Sequence, residues 1–492
     1  MFAKHNDQRA ASRLDLGIEP LENRRLLAVE VTASGNTATI SGDDSANTII
    51  LQGMGISGTD VNLDDSFLDN QFDITTYKFD LRGGNDILQV QSVFGFKNIE
   101  IDGGDGDNVV FIDGSFLKQV KIVNGNGDDS TQISNTQIGL DGNRNTGLID
   151  IRNGDGGSDV LIESTGPGSG RSLHANKVTI LNGRGGNTVD VRNIRARQTS
   201  FLIGQQTGLN STTFENVDRI RDIKVIHNDT AGIVTLKQTT IESGGIFVQS
   251  FGEDTGVSVL KLEDNTSVAR NVIHVGQDVV GHRTEIVNSE VGSVRLDTRG
   301  TTKQGAVVVA RNSAVHGLFQ LNHRPTSIVG GGEGTADVSV DNVTFDRAFN
   351  IRLRNSGSDI GIVDGTFQGS FNVAATTGSK GDTITIDDSE FLGAVKIKTG
   401  TGAGSTEDDE IAIEQNAHAG ATRFHRTVTI TTAGGNDSIL LGGPNVLTRR
   451  ATFDAALRVN GGFGADELSH DVGFFAMGPV RCSRIEVSSL DC

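Results

Sequence analysis

Four segments of the chain align on a central phenylalanine: VVFIDGSFLKQVKIV (109–123), VSVDNVTFDRAFNIRL (338–353), IGIVDGTFQGSFNVA (360–374) and ITIDDSEFLGAVKIK (384–398). The alignment puts Phe116, Phe345, Phe367 and Phe391 at one position, with an apolar Val120, Phe349, Phe371 or Val395 four residues later. Three residues before the phenylalanine stand Asp113, Asn342, Asp364 and Asp388. The same upstream place is held by Asn135, Gln238, Asn265, Asn288 and Asn312, before Ile138, Ile241, Val268, Val291 and Val315, usually with Ser or Thr close behind. The unit is mostly 21 to 30 residues long. A unit that short cannot bury an apolar face alone, so it must stack on its neighbours.

Within each unit the apolar residues alternate, as in Val338 and Val340 or Ile384 and Ile386, which is the period of a strand. No helical pattern of useful length separates the strands. Short strands at a fixed period without crossover helices coil most simply into a solenoid, each strand pairing in parallel with its equivalent one turn on. The expected fold is therefore all-β, a single-stranded parallel β-helix of about 17 coils and about 80 Å at the usual strand spacing. Its body is placed at 81–470, with irregular coils or a cap at 29–80 and a C-terminal cap at 471–492. In such a stack Phe116, Phe345, Phe367 and Phe391 form an interior column, while Asn135, Asn265, Asn288, Asn312 and Asn342 form an amide ladder at a turn. Pro167, Pro325 and Pro444 fall outside the alternating runs, as a sheet without spare donors requires.

Opposite the phenylalanine, units pass through acidic glycine turns such as RGGNDIL (82–88), DGGDGDNVV (102–110), NGNGDDS (124–130) and TAGGNDSILL (432–441). GGFGADELS (461–469) fits the pattern G-G-x-G-x-D-x-U-x at every specified position. Gly supplies the positive φ of such turns, and Asp or Asn tolerates it while bonding locally to the backbone. These segments resemble the calcium-binding repeats of hemolysin-type proteins, and the resemblance implies calcium at Asp105, Asp107, Asp128, Asp129, Asp437 and Asp466. Nothing here repeats at nine residues, however, and the turn-forming role explains Gly and Asp without a metal.

Near the N-terminus, Leu21, Glu22, Arg24, Leu26 and Leu27 resemble the LEPR-XLL motif of long, repetitive bacterial proteins, with Asn23 in place of its proline. The resemblance implies export to the cell surface, with 1–28 as a targeting segment. No run of about 18 apolar residues capable of spanning a membrane occurs. The net charge of −19, from 43 basic and 62 acidic residues, sets nucleic acid aside as a partner, since that affinity rests on Lys and Arg. Two cysteines, Cys482 and Cys492, lie close together at the C-terminus, either bonded to each other or free.

Pectin-degrading enzymes share the β-helix architecture, called pectate-lyase-like, so a polysaccharide lyase or glycoside hydrolase is the alternative function. Their signature sequences are absent, and the chain has one Tyr and no Trp to line a sugar cleft. Asp387 and Asp388 with Lys396 and Lys398 are the best carboxylate and cation group, yet strand and ladder roles account for them. The pairs His316/His323 and His418/His425 read as exposed turn or strand residues. The expectation is a non-enzymatic, extracellular or cell-surface structural or adhesive solenoid, requiring no cofactor unless calcium. Its expected partners are cell-surface or matrix components, with polysaccharide among the candidates.

Overall fold

The computed structural model describes residues 29–490 except 54, 59–60, 64–72, 140–146, 166–172, 174, 253–255, 301–304, 326–334, 355–356, 377–380, 401–406, 416–419 and 445–449. The segment carrying Leu21, Glu22, Arg24, Leu26 and Leu27 lies outside the described residues, as does Cys492. The described chain is all-β, and its strands join one continuous sheet. From Thr37–Ser41 onward the strands, apart from the excursion Gly55–Gly58 and Val61–Leu63, pair in parallel with their counterparts one coil later. This is the parallel β-helix expected from the period.

One coil shows the plan. Ser358–Val363 runs along one face, a sharp corner at Asp364 leads to the two-residue strand Thr366–Phe367, and Phe371–Thr376 forms the third face. Inward and outward residues alternate, so Ile360, Ile362, Phe367, Phe371 and Val373 are all buried. Because the pairing is in register, like lies over like. Phe345, Phe367, Phe391, Phe424 and Phe453 pair residue to residue along the short face. Their rings stack at centroid separations of 5.0, 4.7, 4.8 and 4.7 Å, close to the spacing of the strands themselves. A second column, Phe319, Phe349 and Phe371, stacks beside it and meets it edge-on, with Phe367 and Phe371 5.1 Å apart at 80°. Both arrangements are the favourable ones for ring quadrupoles.

Phe116 does not join the column. Its neighbour Leu117 takes the interior place, paired with Ile138, while Phe116 is half-buried and faces outward against Phe94. The cause lies at the corner. In this coil the left-handed residue is Gly114 (φ 61°) rather than Asp113, which moves the alignment by one position. One residue of slip exchanges the two faces of a strand.

The corner is defined by backbone conformation. Asn135, Asn265, Asn288, Asn312 and Asn342 all have φ between 46° and 67°, as do Asp364 and Asp388. Asn and Asp are the non-glycine residues that tolerate this region. The amide ladder is partial: Asn342 Nδ2 donates to Asn312 Oδ1 at 2.9 Å, whereas Asn135 Nδ2 donates to Asp113 and Thr165. Continuity comes from the hydroxyl one residue later. Ser313 Oγ accepts from Ser289 N at 3.1 Å and donates to Arg311 O, and Ser389 does the same for Gly365 N and Asp387 O.

At the N-terminal end Glu30–Ser34 pairs antiparallel with Thr37–Ser41, and Gly55–Gly58 pairs antiparallel with Thr48–Gln52. These reversals cover the first edges, which would otherwise template aggregation. At the other end Phe474–Ala476, Val480–Ser483 and Val487–Ser488 continue the three faces as a further coil. Cys482 in this coil is disulfide-bonded.

The two phenylalanine environments give a direct test. Phe367→Ala removes a ring packed on all sides and costs about 3–5 kcal/mol, whereas Phe116→Ala costs under about 1 kcal/mol, both read from urea unfolding midpoints. Equal losses would contradict the assignment of interior and exterior.

Candidate functional site: the glycine turns and the polar interior

Each glycine turn carries two ladders of side chains that cap backbone N–H groups on adjacent coils. The outer ladder runs forward: Asp105 Oδ1 accepts from Asn126 N at 2.7 Å, Asp107 Oδ1 from Asp128 N at 2.9 Å and Asp128 Oδ1 from Gly157 N at 2.7 Å. The inner ladder runs backward. Asp86 Oδ1 accepts from Asn47 N, Asn108 Oδ1 from Asp86 N and Asp129 Oδ1 from Asn108 N, at 2.7 to 3.2 Å. It resumes at the C-terminal end, where Asp409, Asp437 and Asp466 accept from Asp382 N, Asp409 N and Asp437 N, and Glu486 Oε2 accepts from Asp466 N. Between the ladders stand Gly106, Gly127, Gly156 and Gly185, at φ of 123° to 143°. A Cβ on Gly127 would lie 2.2 Å from Gly106 O, and one on Gly156 2.0 Å from Gly127 O, so these positions admit only glycine.

Asn and Asp are not equivalent in the inner ladder. Asn108 Nδ2 donates to the carbonyls of Gly104 and Gly106, and Asn187 Nδ2 to those of Gly183 and Gly185, closing the turn from inside. Where Asp occupies the column, an oxygen replaces that donor. Asp86 Oδ2, Asp129 Oδ2, Asp437 Oδ2 and Asp466 Oδ2 are buried and have no hydrogen-bond partner among the described residues. Burial raises the pKa of each, partly opposed by the capped backbone N–H: Asp129 and Asp437 to about 6, with Asp86 and Asp466 raised as well. Asp382, buried beside Asp409 and Glu407, is raised to about 7.

The six aspartates the sequence nominates for calcium therefore divide. Asp105, Asp107 and Asp128 are outer caps, while Asp129, Asp437 and Asp466 are inner ones. No group of three or more His, Cys, Asp or Glu side chains among the described residues is arranged to hold a metal ion. A calcium ion, which wants six to eight oxygens, would have to draw most of its shell from turn carbonyls around one orphaned Oδ2. Asp129, Asp437 and Asp466 are the residues that could hold one.

The middle of the solenoid has a polar interior that the sequence reading missed. His227 Nδ1 lies 3.1 Å from Ser250 Oγ, Ser250 Oγ 2.8 Å from Ser258 Oγ, Ser258 Oγ 2.8 Å from His274 Nε2, and His274 Nδ1 2.9 Å from Thr284 Oγ1. The His282 ring packs on His274 with centroids 3.7 Å apart. Burial pushes His227 down to about 4 and His282 down to about 3, with His274 also lowered, so all three are neutral at pH 7. His323, read as exposed, is instead fully buried. His316 is exposed as expected and lies 2.8 Å from Asp346, and His425 bridges Glu390 and Asp454; His418 lies outside the described residues. The signal was available in strand parity, because His227 stands two residues after the buried Val225.

The remaining catalytic candidates are not brought together as a group. Asp387 ends the strand Thr383–Asp387 and is buried, Asp388 occupies the left-handed corner, and Lys396 and Lys398 belong to the strand Val395–Lys398 on another face. Fold and turns together define a three-faced parallel β-solenoid. Searches of family models, of curated proteins and of solved structures find nothing that matches this chain.

The inner ladder makes stability depend on pH. A carboxyl whose folded pKa is raised stabilises fully below the unfolded value near 3.9, and that contribution is lost as pH rises through the folded value. Asp437→Asn, which restores the donor found in Asn108 and Asn187, should stabilise the protein at pH 8 by on the order of 1–3 kcal/mol. The gain should shrink as pH falls through 6 and disappear only below about pH 4 in urea titrations. A gain that is constant with pH would show that Asp437 does not titrate in this range.

Proposed function

We propose that the chain is a non-enzymatic, exported solenoid that serves as a structural or adhesive element at the cell surface or in the extracellular matrix, presenting a stiff, acidic surface. The observation that carries this reading is the unbroken in-register core. Burial is achieved lengthwise, so the outward positions of all three faces are released from any packing duty. Arrays of outward residues fixed on a rigid frame suit contact with an extended partner. The net charge of −19 keeps such a rod soluble and away from phosphate backbones.

The N-terminal LEPR-XLL-like segment supports export, and the bonded Cys482 suits an oxidising compartment. A tagged full-length chain should reach the cell surface and a chain lacking 1–28 should not. Cytoplasmic retention of the full-length chain would overturn the assignment. The alternative, a polysaccharide lyase or glycoside hydrolase, predicts new reducing ends or unsaturated products from anionic polysaccharides. Turnover abolished by Asp388→Ala would replace the structural reading with the enzymatic one.

Calcium stabilisation is a second element of the proposal, supported by the orphaned oxygens of Asp129, Asp437 and Asp466. A cation there competes with the proton that Asp129 and Asp437 take up near pH 6, and with the one that burial favours on Asp466. Millimolar calcium should then raise the melting temperature at pH 8, with little effect at pH 5, relative to chelator. No difference at pH 8 would leave these groups as proton-holding caps alone.

A further inference from the structure

The left-handed corner floors an open groove of about 750 Å³ in the middle of the solenoid. Asn265, Asn288, Asn312 and Asn342 rise through it one coil at a time, each exposed. The side-chain amides of Asn265 and Asn288 make no hydrogen bond among the described residues, and both residues line the groove. Along its edge Ser267, Glu290, Ala314 and Thr344 pair in register, and the small side chains of Ser267, Ala314 and Thr344 leave the corner concave. Farther along the same column the groove is not lined by Thr366 or Glu390.

We propose that this groove binds an extended, neutral polysaccharide chain laid along the solenoid axis. This deepens the adhesive reading and rests on it. Four features select the ligand. The lining is amide and hydroxyl, which match the paired donor and acceptor character of sugar hydroxyls. The amides recur at the strand spacing of about 4.8 Å, close to the rise per unit of an extended β-linked sugar chain, so successive sugars meet equivalent groups. The lining contains no Lys or Arg but does contain Glu290, with Asp264 paired to Lys237 at 3.6 Å beside it, and the carboxylate of Glu290 disfavours uronic acids, sulfated sugars and phosphates. A peptide strand is disfavoured because the strands beneath are already paired on both sides by neighbouring coils, leaving no backbone edge to extend.

The test uses the full chain with cellohexaose and xylohexaose as neutral probes and hexagalacturonate as the acidic one, with binding measured by isothermal titration. The neutral hexaoses should bind and hexagalacturonate should bind about tenfold or more weakly by comparison. Asn265→Gly, Asn288→Gly and Asn312→Gly combined remove three amides while keeping the left-handed backbone, because glycine adopts it freely. That variant should bind about tenfold or more weakly while its circular dichroism stays unchanged. Ala314→Trp, which fills the groove from its edge, should do the same. Asn193→Gly with Asn216→Gly, at the same corner outside the groove, should leave binding intact.

Absence of neutral-hexaose binding, tighter binding of hexagalacturonate, or indifference to both the triple variant and Ala314→Trp would each overturn the proposal. Failure of the broader reading looks different. Cleavage of a bound hexaose would refute the non-enzymatic assignment and leave the groove standing as a binding site. Retention of the triple variant on a particulate matrix as strongly as the parent would refute the groove and leave the adhesive rod in place.

Discussion

Parallel hydrogen bonding in strict register is the constraint from which the other features follow. Each coil hands its neighbour the same backbone at about 4.8 Å, so a side chain has as its nearest neighbours the residues that occupy its own position above and below. Whatever a position contains is therefore tested against copies of itself. Phenylalanine passes that test, since rings stacked at 4.7 to 5.0 Å fill space along the axis without voids. Glycine passes wherever a Cβ would strike the carbonyl of the coil before. Asparagine passes because it can accept from one coil and donate within its own.

Much of this was legible in the sequence because register preserves spacing. The recurrence of Phe345, Phe367 and Phe391 behind Asn342, Asp364 and Asp388 marks the corner and the interior position three residues past it. Phe116 misled because residue type was used to set the alignment, while the backbone sets it by conformation. Gly114 takes the left-handed corner more readily than Asp113, and the interior place passes to Leu117. The inner ladder was hidden for a related reason. Asp129, Asp437 and Asp466 sit inside glycine-rich turns that read as solvated loops, yet the turn folds its last residue inward over the core. Their parity matches the inward residues that follow, as Asp437 does Ile439 and Asp466 does Leu468, but a polar side chain at that place does not register in hydropathy.

The histidine chain shows what a stacked interior does with groups that are neither apolar nor able to close a turn. His227, Ser250, Ser258, His274 and Thr284 come from different faces and coils, and each satisfies another across the hollow of the coil. Lowered pKa values keep the rings neutral, so the network holds no buried charge at pH 7. Such a chain fixes which coils lie opposite one another at a place where the phenylalanine columns have not yet begun, since Val268, Val291 and Val315 occupy the corresponding short face there.

The two ends of the inner ladder solve the same electrostatic problem differently. Through the N-terminal coils the register runs Asn47, Asp86, Asn108, Asp129, Ser158, Asn187, so no two carboxyls are adjacent and each has a neutral neighbour on both sides. Through the C-terminal coils Asp382, Asp409, Asp437, Asp466 and Glu486 follow one another without interruption. Four buried ionised carboxylates, followed by the exposed Glu486, would repel at every step, with only one backbone N–H accepted by each of Asp409, Asp437, Asp466 and Glu486. Part of the file must therefore be neutral. Burial first, and neighbouring carboxyls second, raise Asp382 to about 7 and Asp437 to about 6. The alternating end carries the same response at isolated positions, Asp86 and Asp129, so the sensitivity of this solenoid to protons and cations is spaced out in its N-terminal coils and continuous in its C-terminal ones, while the apolar columns that carry the stack are indifferent to both.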